Sequence, residues 1–130
     1  MNKRHLADLQ LAIMQVLWDC GEATVAEVRS RLSPERDLAH TTVGTMLTKL
    51  VEKGVVSYRS DGRANIYRPK VSQDRVSRSM VSDLAKRLFG GDITQMMCHA
   101  LDGQPVSRDE LAELKKMIRA KEKELNDDDR

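Results

Sequence analysis

Thr41, Thr42, Thr45 and Thr48 crowd into "HTTVGTMLTKL", and the basic stretch that follows carries Arg59, Arg63 and Arg68. A threonine hydroxyl bonds a phosphate oxygen or either kind of base edge, and its methyl packs on a thymine methyl. Arginine suits phosphate or the minor groove. The chemistry these residues share is hydrogen bonding and charge pairing with duplex DNA. Helix stability does not explain them, because the branched Thr side chain is restricted against the preceding turn. Nor does burial. At 100° per residue Val43, Met46, Leu47 and Leu50 take one side of a helix, while Thr41, Thr42, Thr45, Thr48, Lys49 and Glu52 take about a third of the circumference on the other. The DNA-binding candidates are Thr41, Thr42, Thr45, Lys49, Arg59, Arg63 and Arg68.

Charge points to the same stretch. The whole 130-residue chain carries only +2, but residues 38–70 hold six Lys/Arg against two Asp/Glu, a local +4. One Trp, two Tyr and one Phe are too few aromatics for a module that stacks single-stranded bases. A duplex reader needs no such rings. The 40% hydrophobic content supports a packed core.

Other chemistries find little footing. No nucleophile elbow, phosphate loop or paired-His zinc motif is present, and His5, His40 and His99 are scattered, so neither an enzyme nor a cofactor is expected. Cys98-His99 beside Met96 and Met97 are soft-metal ligands by type. The two methionines fall on an apolar stripe, however, and core packing is the simpler role, so no metal site is assigned. Cys20 and Cys98 form no metal-type pair, and there is no signal peptide or apolar run of about 18 residues. A reducing, cytoplasmic setting without membrane insertion fits.

The elements that must position the threonines follow from the remaining pattern. Leu6, Leu9, Ile13, Val16 and Leu17 predict a helix over residues 6–19, with Trp18 beside its apolar face and Gly21 as a stop. Thr24 and Glu27 form a capping box for a second helix with Val25, Val28 and Leu32, ended by Ser33 and Pro34. The threonine helix spans 39–53 and stops at Gly54. "VVSYR" and "NIYRP" then read as two strands around an Asp61-Gly62 turn. Helix, helix, helix, hairpin is the layout of a winged helix-turn-helix, with the third helix foremost in the major groove.

Beyond Pro69 the pattern is helix only. Ser72, Asp92 and Ser107 are cap residues for three amphipathic helices, carrying Val76, Met80, Leu84 and Leu88, then Ile93, Met96, Met97, Ala100 and Leu101, then Leu111, Leu114 and Ile118. The final "NDDDR" is expected to fray. Three apolar stripes on so short a segment can bury only part of their surface within it, and a second copy of the chain is the commonest partner, the alternative being packing back on the chain's own first domain. The expected organisation is a winged helix-turn-helix DNA-binding domain over 1–71 and an all-α dimerisation domain over 72–130, in a mainly α protein with a two-stranded wing.

"LQLAIMQVLWDCGEATVAEV", "TTVGTMLTKLVEKGVV", "ANIYRPKVS" and "LFGGD" together resemble the penicillinase-repressor (BlaI/MecI) family of bacterial winged-helix regulators, from about Leu6 to Ile118. The resemblance implies a homodimeric repressor of a palindromic double-stranded DNA operator. It places Thr41, Thr42 and Thr45 in the groove, Arg63 and its neighbours on the wing, and Leu84, Leu88, Met97 and Leu101 in the dimer core. Leu114 and Ile118 of the last helix are assigned with them. It also implies inactivation through a membrane sensor protease that triggers cleavage in the C-terminal helices, in the region around "MCHAL". A winged helix that binds protein and a metal-responsive repressor are the alternatives. The copper-responsive branch carries closely spaced cysteine motifs near its C-terminus that this chain lacks.

Overall fold

The computed structural model of the chain describes residues 2–128, with side chains over 8–128, so His5 and Leu6 contribute no side-chain observation. Six helices and one hairpin follow in the order α1 (Asn2–Cys20), α2 (Val25–Leu32), α3 (His40–Glu52), β1 (Val56–Ser60), β2 (Asn65–Pro69), α4 (Gln73–Phe89), α5 (Ile93–Gly103) and α6 (Arg108–Asp128). The chain divides into two compact units, residues 1–80 and 81–130, with the division inside α4.

In the first unit the three apolar stripes meet. Ile13 and Leu17 of α1, Val28 of α2 and Val43 and Leu47 of α3 are completely buried, and Leu9, Leu32, Met46 and Leu50 complete the same core. Val25 is only partly buried at its edge. Thr24 caps α2 as its spacing predicts. Its hydroxyl accepts from the Glu27 N–H at 3.2 Å, and the Glu27 carboxylate accepts from the Thr24 N–H at 3.0 Å.

The hairpin is more than an appendage. β1 and β2 pair antiparallel in the register Val56↔Pro69, Tyr58↔Tyr67 and Ser60↔Asn65. Ala23, just before α2, adds a third short rung by exchanging two backbone hydrogen bonds with Tyr67, at 2.9 and 2.8 Å. Val56 and Tyr67 thereby enter the helical core, a role that strand alternation alone does not assign. Gly54, at φ +81°, turns the chain out of α3 into β1 in a conformation that side chains resist. Trp18 packs, partly buried, against the core and also donates from Nε1 to the Val71 carbonyl at 2.9 Å, tying down the chain just before α4.

The second unit is helical throughout. Asp92 caps α5 by accepting from the Gln95 N–H at 3.0 Å, and Ser107 and Glu110 form a reciprocal capping box on α6 at 3.1 and 3.2 Å. Ser72 caps α4 in the same way, accepting from the Arg75 N–H at 3.1 Å. Two boundaries differ from the sequence expectation. α1 begins at Asn2, because nothing in residues 2–5 breaks a helix, although the apolar stripe starts only later. α6 continues through Asp128, so residues 126–128 are helical rather than frayed, and residues 129 and 130 lie outside the described residues.

Candidate nucleic-acid interface

α3 divides sharply into two faces. Val43, Met46, Leu47 and Leu50 are buried, and Thr41, Thr42, Thr45, Thr48 and Lys49 are exposed on the outside. Thr41, Thr42 and Thr45 line one shallow depression with the edge of Met46. The helix starts at His40 behind Ala39, which offers no side chain to the free amides of the first turn. Thr41 is therefore inside the helix and not its cap. Thr48 is distinguished from the others, because its hydroxyl donates back to the Gly44 carbonyl at 3.0 Å. The other three hydroxyls make no hydrogen bond within the protein among the described residues, and they are the three nearest the leading end of the helix.

The wing turn is built by Asp61. Its carboxylate accepts from the backbone N–H groups of Ala64 (3.0 Å) and Arg63 (3.2 Å), and these bonds hold the carboxyl below its ordinary pKa. Gly62 takes φ +96° between them, which is the reason for the Asp-Gly pair. Arg63 is thus presented from a structured tip.

The three wing arginines are not equivalent. Arg63 and Arg68 are exposed and make no ion pair among the described residues. Arg59 is engaged: Nη1 donates to Glu22 Oε2 at 2.7 Å and Nη2 donates to Oε1 at 3.0 Å. The bond from Arg59 holds the Glu22 carboxyl below the usual carboxylate range, with Arg59 and Arg68 adding their positive charge, and Arg59 is raised in return. Glu22 belongs to the turn after α1 and was not among the sequence candidates. Its partner lies 37 residues on, and no local pattern connects them.

His40 is a second residue that sequence reasoning passed over as scattered. The fold places it at the start of α3, where it lines one cleft with Thr24, Arg63 and Asn65. The tertiary approach of the wing to α3 is the only signal for it.

The C-terminal candidates share a different property. Leu84, Leu88, Met97, Leu101, Leu114 and Ile118 are 37–65% exposed, and neither α5 nor α6 contains a buried residue. In α4 only Ala85 is buried. Cys98 is exposed and Cys20 half-buried, and the ring of His99 packs on Phe89 with centroids 5.2 Å apart.

A two-faced third helix beside a basic hairpin is one arrangement among many regulators, and sequence comparison is more specific. The family model for the penicillinase repressor matches residues 6–120. The chain belongs to the penicillinase repressor family. It is 25% identical over 114 residues to the penicillinase repressor of Bacillus licheniformis, covering 88% of this chain and 89% of that one. It is 38% identical over 100 residues to the transcriptional regulator BlaI of Mycobacterium tuberculosis, covering 75% and 72%. Among solved structures, the DNA-binding domain of the repressor BlaI matches 51% of this chain and 80% of its own at 30% identity, with a TM-score of 0.47. The architecture is the one expected for this family, mainly α with a winged helix-turn-helix and a two-stranded wing followed by helices alone.

Proposed function

We propose that this member of the penicillinase repressor family is a homodimeric transcriptional repressor that reads a palindromic operator in the cytoplasm. DNA binding follows from the family and falls to the first unit. The observation that carries the reading is the outer face of α3, where Thr41, Thr42 and Thr45 stand exposed with Lys49 behind a fully buried inner face. Small hydroxyl side chains let the helix backbone approach the base edges, and Arg63 and Arg68 supply phosphate contacts from the wing.

Dimerisation rests on the exposed apolar positions of α4, α5 and α6. Such faces are hydrated at a cost of about 25 cal/mol per Å² until something covers them. A second copy supplies a matching set. Two copies bring two recognition helices, and a two-fold axis between them requires a palindromic site.

The test is selection of bound duplexes from a random-sequence pool, followed by fluorescence anisotropy at several salt concentrations. The expected result is one palindromic site, bound by two chains with steep salt dependence. Recovery of no preferred sequence would overturn the reading.

A further inference from the structure

We infer that Glu22 is a positioning residue for DNA binding, whose carboxylate pins Arg59 and so sets the angle of the wing that presents Arg63 and Arg68. This deepens the interface reading above and rests on it. A carboxylate next to a DNA-facing surface repels phosphate, so its presence there needs a compensating role. The geometry supplies one. Nη1 and Nη2 of Arg59 donate to the two oxygens of Glu22, at 2.7 and 3.0 Å, which commits that bidentate edge of the guanidinium to the carboxylate.

The register explains what the pair holds. Ser57 lies opposite Arg68 and Arg59 opposite Ile66, so Arg59 and Arg68 share one face of the hairpin. Ala23 pairs with Tyr67 on the other edge of β2, which brings the preceding residue, Glu22, alongside Arg68. Glu22 therefore reaches diagonally across β2 to the outer strand. Two backbone bonds at Ala23 and Tyr67 hold β2 to the body of the unit, while β1 is held by its pairing with β2 and, at its root, by packing on α3 where Val56 is buried. Among the described residues, the ion pair is the side-chain tie from the body of the unit to the outer half of β1, just before the turn that carries Arg63.

Such an exposed pair adds little to folding stability, so its removal leaves the fold intact and the consequence appears in binding. The two possible roles of Arg59 make opposite predictions for Glu22→Gln. If Arg59 is pinned, Glu22→Gln and Arg59→Gln each weaken binding to the selected duplex by roughly threefold to tenfold, the double variant is no weaker than either, and the salt slope is unchanged. The charge swap Glu22→Arg with Arg59→Glu restores affinity. If Arg59 contacts phosphate, Glu22→Gln tightens binding and Arg59→Gln lowers the salt slope by about 0.9. That second pattern, or no effect of Glu22→Gln on affinity, overturns the inference. Thermal melts of each variant confirm folding. Thr45→Ala, measured alongside, tests the α3 interface separately.

Discussion

At the scale of single residues, the proposed interface assigns sequence reading and charge to different groups. In the proposed interface Thr45 meets base edges with its hydroxyl and methyl, so Thr45→Ala is expected to lower affinity for the selected duplex more than for a shuffled one. In the same proposal Arg63 meets phosphate, so Arg63→Ala should weaken both and reduce the salt slope by about 0.9. Anisotropy titrations on the two duplexes check the division, and equal losses in both would reject it. Asp61 bonds only backbone, yet Arg63 depends on it. Its carboxyl pKa is depressed by the Ala64 and Arg63 amides, so this anchoring is fully present above the ordinary carboxylate value, about 3.9, and is lost as pH falls through the lowered one. At neutral pH the tip is held. Asp61→Ala should remove that hold and reduce affinity without changing the salt slope, because Arg63 keeps its charge. The exposure of the four threonines and Lys49 on one face of α3, and of Arg63 and Arg68 on the hairpin, was legible in the sequence through residue type and spacing. Glu22 and His40 were not, since neither belongs to a local pattern with the residues it meets.

At the scale of elements, every helix start in the chain beyond α1 except that of α3 is marked by a side-chain cap, and the exception is informative. α3 begins behind Ala39 without one, so its first-turn amides stay free at the end of the helix that leads in the proposed interface. α2 shows the ordinary case. Thr24→Ala removes one half of its capping box and should cost about 1 kcal/mol. For a unit of this size that is a fall in the melting temperature of roughly 4–8 °C. Differential scanning calorimetry measures it, and a shift below a degree would show that packing against α1 and α3 alone sets the start of α2. The caps were visible in the sequence because they act over three residues. The wing's third rung at Ala23 was not, because a single bridge to Tyr67 leaves no periodic trace.

At the scale of the whole molecule, the two units differ in what they bury. The first closes a core around Ile13, Leu17, Val28, Val43 and Leu47, whereas the helices of the second leave Leu88, Met117, Ile118 and Leu125 at least 59% exposed. Leu84→Asp, placed on the α4 stripe, tests the proposed dimer: it should shift the chain from dimer to monomer in sedimentation velocity and lower affinity for the selected site, because one half-site supplies fewer contacts. The melting of the first unit should be unaffected. An unchanged dimer would place the interface elsewhere.

The sequence by itself determined the helices, their caps, the hairpin turn, the composition of the α3 faces and the family, because each of these depends on residues within a few positions of one another or on a motif read directly. Only the tertiary structure decided that Arg59 is held by Glu22, that His40 lies beside Arg63, that Tyr67 is core and that Trp18 ties down Val71. These pairings join residues 23 to 53 positions apart. They depend on strand register and on the way helices pack, which no local periodicity encodes.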